Sequence, residues 1–239
     1  MSGRVELSLS TWRQPVPATL NPKRSLVLRH IADRIQGLGS RRVRVGVDGR
    51  TAAGKTTLGH ELATLLADAD RVVLRASLDD FKRPWAEAHL YDRMSGEGYY
   101  RNAFDLEAMR RLLLEPADSD GSGLVTLCSI DPITQVSHSD TPVAMPNDGV
   151  LIVDGVFALR PELRPHWDLS VWVGIEPEMS VRRGTDRDSA REGTDVAETL
   201  HRDRYGTAET IYIAEVNPVS VADVVIDNTD FDDPRIVRG

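Results

Sequence analysis

Gly49-Arg-Thr-Ala-Ala-Gly54-Lys55-Thr56 places two glycines, one of the chain's three lysines and a threonine within eight residues. Each type has a job around an anion. Glycines let main-chain N–H groups close on phosphate oxygens, the ammonium neutralises the outer phosphates, and the hydroxyl can ligate Mg²⁺. The pattern is G-x-x-x-x-G-K-[ST], the phosphate-binding loop or P-loop. It makes Gly49, Thr51, Ala52, Ala53, Gly54, Lys55, Thr56 and Thr57 the expected nucleotide contacts.

Three further groups could complete a phosphoryl-transfer site. Val150-Leu-Ile-Val-Asp154-Gly155 is an apolar run ending in an acid, the form in which a strand tip presents a carboxylate to Mg²⁺; Asp154 joins Thr56 as an expected metal ligand. Ser77-Leu-Asp79-Asp80-Phe81 offers two adjacent acids, and Asp79 is taken before Asp80 as the base that receives an acceptor's hydroxyl proton. Arg182-Arg183-Gly184-Thr185-Asp186-Arg187-Asp188 reads as part of a cationic lid over about 178–195, with Arg183 on the nucleotide and Arg187 stabilising transferred charge. A plain charged helix face is the alternative there. Residues 81–104 hold six of the 13 Phe, Trp and Tyr. They are the expected acceptor segment, with Asp80, Phe81, Arg83, Tyr99, Tyr100 and Arg101 as substrate contacts. The competing reading is a small satellite core under a long loop.

These groups need a scaffold that gathers strand ends. Arg42–Val47 alternates and is valine-rich, so it reads as a strand. Leu58, Leu62, Leu65 and Leu66 make a helical stripe directly after the loop, which puts the loop at a helix N-terminus, where free N–H groups and the dipole favour phosphate. Further strands are expected at Arg71–Ser77, Val150–Val153, Leu169–Ile175 and Val224–Ile226, with a strand or hairpin arm at Leu124–Ile130. Helices are expected at Ser25–Gln36, Asp105–Leu114, Pro177–Asp188 and Asp195–Ala214. Residues 82–104 and the turn-rich Asp131–Gly149 look irregular. Alternating strands and helices imply an α/β fold with a doubly wound, mainly parallel sheet and a site at the strands' carboxyl ends. Residues 1–24 read as an irregular N-terminal arm and 25–239 as a single domain.

Composition narrows the partners. The net charge of −8 argues against sequence-independent nucleic-acid binding. Cys128 is the single cysteine, which suits a reducing cytoplasm and excludes a zinc knuckle. No apolar stretch is long enough for a membrane span and residues 1–20 lack a signal-peptide core. Oligomeric state, a homo-oligomer included, is left open.

Taken in order, the P-loop run, Ser-Leu-Asp-Asp-Phe, Ala103-Phe104-Asp105, Val-Asp-Gly-Val-Phe, Arg-Arg-x-x-x-Arg-Asp and the tail Tyr205…Tyr212…Pro218…Ala222-Asp-Val-Val-Ile resemble the uridine kinase / phosphoribulokinase family over about residues 25–228. The resemblance implies the three-layer sandwich of P-loop NTPases. It implies a Mg²⁺-dependent kinase moving the γ-phosphate of ATP (or GTP) to a small molecule's hydroxyl, with uridine or cytidine as the default acceptor and pantothenate, a sugar or a sugar phosphate as alternatives. Asp79 matches the family's catalytic acid, Lys55 and Thr56 its phosphate and Mg²⁺ residues, and Arg183 and Arg187 its lid arginines. The chain departs from the pattern at Lys82, where uridine kinases have tyrosine, and at Tyr99, where they have the aspartate that holds the ribose hydroxyls; Asp154 stands where glutamate is usual. A regulatory NTPase is the reading from another class. The chain lacks the N-K-x-D guanine motif and the L-S-G-G-Q segment such switches and transport ATPases use.

Overall fold

The computed structural model describes residues 3–13, 22–87 and 90–239. A seven-stranded sheet organises the chain in the order β1 (Arg4–Leu7), β3 (Val72–Ser77), β6 (Val150–Asp154), β2 (Val43–Gly49), β7 (Leu169–Gly174), β8 (Val224–Asp227), β9 (Arg235–Arg238). All neighbours are parallel except β8 and β9. The P-loop strand β2 lies at the centre, its seven residues all buried, as expected of a parallel strand covered on both faces.

Side-chain alternation along the strands divides the core in two. Val43, Val45, Val47, Val150 and Ile152 pack with Leu28, Ile31 and Ile35 of α1 (Pro22–Gly37) and Leu62 and Leu66 of α2 (Lys55–Asp68). Leu74, Leu151 and Val153 face the other way, into a larger cluster with Met109, Leu113, Phe157 and Tyr212. That period of two builds the helix–sheet–helix layers.

The differences from the sequence reading have local causes. Residues 4–7, inside the arm expected to be irregular, form edge strand β1 on β3. Helix α1 starts at Pro22 rather than Ser25, since proline is tolerated in the first turn. The segment expected to be irregular contains α3 (Gly96–Asn102), capped by Ser95, whose hydroxyl accepts from Gly98 N. Asp105 caps α4 (Leu106–Met109), which widens through a π-type turn at Arg110–Leu114. The expected strand at Leu124–Ile130 contracts to β4 (Leu124–Val125), paired with β5 (Val143–Ala144) in a separate ribbon. Helix α5 (Pro177–Glu192) runs beyond Asp188 and is capped by Gly193, and α6 (Thr194–Thr199), a wide turn at Leu200–Tyr205 and α7 (Gly206–Val216) follow. Short α8 (Pro218–Val221) leads into β8. No helix among the described residues is long and apolar enough to cross a membrane.

Candidate active site

A cleft of about 1020 Å³ opens at the carboxyl ends of β2, β3 and β6. The P-loop forms its floor. Gly54 adopts φ +93°, a left-handed conformation suited to glycine, and a Cβ there would also sit 2.8 Å from Asn228 Nδ2. Gly54 brings no side chain to cap α2, so the helix's first N–H groups face the cleft as an anion site. Lys55 Nζ donates to Arg50 O at 2.6 Å. Burial lowers the Lys55 pKa, opposed by Asp48, Glu209, Asp154 and Asp79.

Three groups that the sequence reading passed over brace this loop. Asp48 is fully buried and accepts from Gly49 N, Phe157 N, Leu159 N and the Tyr212 hydroxyl; burial raises its pKa, while those donors counteract the rise. Glu209 of α7 accepts from Thr51 N at 2.6 Å and pairs with Arg50 at 2.9 Å. Asn228 donates to Ala53 O at 2.7 Å and accepts from Arg24, itself in a buried pair with Glu61. Their shared signal is a polar residue in an apolar context, but the partners lie up to 204 positions apart, beyond the reach of a spacing argument.

At the tip of β6, Asp154 accepts from the Thr56 hydroxyl, so the two expected metal ligands touch. Both supply hard oxygen donors, which fit Mg²⁺. Arg75, in the middle of β3, occupies the other Asp154 oxygen at 2.6 Å, with side chains only 4% and 3% exposed. The guanidinium reaches it because α2 has Gly59 alongside: a Cβ there would lie 2.5 Å from Arg75 Nη2. Neither residue carries a motif that announces this.

Asp79 and Asp80 sit in a 3₁₀ turn (Leu78–Phe81) after β3 whose cap is Ser77. They diverge. Asp79 lines the cleft, 30% exposed, with Lys82 Nζ 2.8 Å from Oδ1. Burial would raise its pKa, but Lys82, Lys55 and Arg187 outweigh this and hold it below the ordinary carboxylate value. Asp80 is only 2% exposed and accepts from Ser8 Oγ at 2.7 Å. Burial, reinforced by Asp79 and Asp154, pushes it up to about 7, against the pull of the Ser10 and Ser8 hydroxyls.

Helix α5 forms the wall expected of a lid. Arg183, Arg187, Asp188 and Arg191 line the cleft. Arg183 is anchored to Asn228 O and Thr229 O. Arg187 is gripped through two nitrogens by Asp188, which also bonds His201 at 2.8 Å.

The acceptor end requires corrections. Phe81 is fully buried and Tyr100 packs edge-on to Phe157 at 5.1 Å, so both belong to the core. Arg101 points away, paired with Glu97 and Glu215. These three do not line the cleft, whereas Asp80, Arg83 and Tyr99 do. The aromatic concentration is therefore mostly part of the larger core cluster, rather than a separate satellite under a loop: Tyr99, Tyr100 and Phe104 join Phe157, Tyr205 and Tyr212 in ring contacts. From it Tyr99 and the half-exposed Trp85 reach the cleft. Around Tyr99 stand Lys82 and Arg204, the latter 4.7 Å from its ring centroid. Arg13, Arg93 and Arg204 line the cleft bonded to main-chain carbonyls and, among the described residues, lie in no carboxylate pair.

No family model matches the chain. It is 24% identical over 187 residues to a uridine kinase of Lactobacillus helveticus, covering 76% of this chain and 84% of that one. It is also 24% identical over 186 residues to a uridine kinase of Halobacterium salinarum, covering 76% and 78%. A solved structure described as a possible uridine kinase from Bacillus stearothermophilus superposes with a TM-score of 0.65 at 22% identity, covering 84% of this chain and 98% of its own.

Proposed function

We propose that this chain, a P-loop kinase of the uridine kinase / phosphoribulokinase-like type, transfers the γ-phosphate of ATP (or GTP) to a hydroxyl of a small acceptor held between Asp79, Tyr99 and helix α5. The observation that carries the reading is convergence: Lys55 and Thr56, Asp154, Asp79 and Arg187 come from four separate segments and meet in one cleft. Phosphoryl transfer asks mainly for positioning and charge neutralisation, and these are the groups that supply both. The P-loop N–H groups and Lys55 hold the outer phosphates. Thr56 and Asp154 would hold Mg²⁺, which would supply neutralisation of the phosphate charge. Asp79, ionised at neutral pH, orients the acceptor hydroxyl and receives its proton. Arg187, fixed by Asp188, faces the charge on the transferred group.

Uridine and cytidine are the first acceptors to test, because the matched relatives are named uridine kinases. The residues around Tyr99 favour a second reading. An aromatic ring flanked by Lys82 and Arg204, in a cleft that Arg93 also lines, suits an alcohol that also carries an anionic group, such as a sugar phosphate or pantothenate. An ATP-consumption screen over nucleosides, pentoses, ribulose 5-phosphate and pantothenate separates the two. Turnover of none of them, with ATP or GTP, would remove the kinase reading. With the acceptor found, Asp79→Asn is expected to lower kcat by about 10²-fold or more while nucleotide binding persists; unchanged kcat would reassign the base.

A further inference from the structure

The proposed function leaves Ser8–Arg13 unused, yet Ser8, Trp12 and Arg13 line the same cleft as Asp79 and Arg187. The segment is tied down at both ends of its course. Ser8 Oγ donates to Asp80, next to the proposed base. Thr11 N donates to the buried Asp131 at 2.6 Å. Asp131 also accepts from Ile133 N and Thr134 N, so one carboxylate joins the segment to the Pro132–Ile133 turn, which lines the cleft too. Within the segment, Ser8 Oγ accepts from Ser10 N, Ser10 Oγ from Trp12 N, and Ser10 O and Ser8 O from the Arg13 guanidinium. These turns fix the direction of Trp12. Its ring is half-buried and lies 5.1 Å below the Arg191 guanidinium of α5. Arg191 in turn approaches Asp188, the residue that grips Arg187.

We propose that Ser8–Arg13 is a strap forming the outer wall of the acceptor site, with Trp12 as an acceptor-contacting specificity residue linked to the phosphate-facing arginines through Arg191. The inference rests on the kinase reading and deepens it. A tryptophan there presents a large rigid face to the acceptor, at little conformational cost. Among the described residues no hydrogen bond or ion pair joins the strap to the P-loop, so its loss should weaken acceptor binding and spare the nucleotide.

The test is steady-state kinetics of Trp12→Ala and Trp12→Phe with the compound of the nucleoside, pentose, ribulose 5-phosphate and pantothenate panel that the wild type phosphorylates fastest. Trp12→Ala is expected to raise KM for that acceptor by about 10-fold, with KM for ATP within about 2-fold, the ordinary worth of one aromatic contact. Trp12→Phe is expected to recover most of the loss, which a misfolded strap would not allow. An unchanged acceptor KM, or equal rises in both KM values, overturns the strap proposal and leaves the kinase reading intact. A wild type that turns over no panel compound refutes the kinase reading instead. The link to α5 then has its own measurement: hydrogen exchange at the Thr11 and Trp12 amides with Mg²⁺·AMP-PNP. Added protection in the wild type that disappears in Arg191→Ala supports the link, and equal exchange in both refutes it.

Discussion

Removing Arg75 tests whether Asp154 is held ready for a metal by a protein cation. Both partners are almost fully buried, and Arg75 Nη2 lies 2.6 Å from the carboxylate. Deleting one member of such a pair strands a charge without water, at a cost of about 3–5 kcal/mol, whereas replacing both members is often close to neutral. For a chain of this size each kcal/mol moves Tm by about 2–4 °C. Arg75→Met is therefore expected to lower Tm by about 6–20 °C in EDTA. Arg75 also donates to Ile152 O at 2.8 Å, so the single variant overstates the ion pair. A double-mutant cycle with Asp154→Asn cancels that bond, because Arg75→Met removes it in both Asp154 backgrounds. The expected coupling is at least about 2 kcal/mol by urea denaturation, as befits a buried pair. A coupling near zero would mean that the carboxylate does not depend on the guanidinium, and the account of Asp154 as a prepared ligand would fall.

Gly59→Ala should destabilise although alanine is the better helix former by about 1 kcal/mol, because the new methyl meets Arg75 at 2.5 Å; in the Arg75→Met background the same change should stabilise, and thermal melts of the four proteins check the reversal of sign. Lys82→Met should raise the Asp79 pKa, since Lys82 is the chief group lowering it, and the acid limb of the kcat/KM profile should shift to higher pH; an unmoved limb would separate Asp79 from the titration. Asp80, raised to about 7, keeps its proton in the folded chain at pH values where the unfolded chain has released it, so its contribution to stability is present at low pH and falls as pH rises from about 4 through 7. Asp80→Asn should remove that decline, and urea midpoints for the two proteins that keep a constant difference between pH 5 and 8 would contradict the raised value.

The nucleotide half of the site was legible because its chemistry is local. Gly54, Lys55 and Thr56 are consecutive, and the β2–loop–α2 context follows from alternation giving way to a helical stripe. Asp154 was legible for the same reason, an acid closing an apolar run. The braces were not. Arg75 in a strand, Glu209 in a late helix and Asn228 after the last parallel strand each look like solvent-facing polar residues until the fold buries them. Their pairing depends on crossovers that place β3 beside β6 and β7 beside β8, and no spacing within one element encodes it.

The acceptor half failed in an instructive direction. Counting aromatics between Phe81 and Phe104 found a true concentration, but rings are as useful to a core as to a ligand: Phe81 is fully buried in the core, and Tyr100 and Phe104 pack against Phe157. What reaches the cleft is set by direction: the cap at Ser95 starts α3 so that Tyr99 faces Lys82 while Arg101 turns toward Glu215. The proposed wall opposite comes from residues 8–13, where a proline-containing, aperiodic arm suggested no structure at all. Two serines, a main-chain N–H and one buried aspartate order it, through contacts 72 and 120 residues away in sequence. Periodicity is blind to such contacts, since hydroxyl-to-backbone turns leave no apolar pattern. The proposed acceptor wall thus rests on segments without repeating signals, whereas the proposed phosphate-binding half rests on a contiguous motif, which is why the second reads from sequence and the first does not.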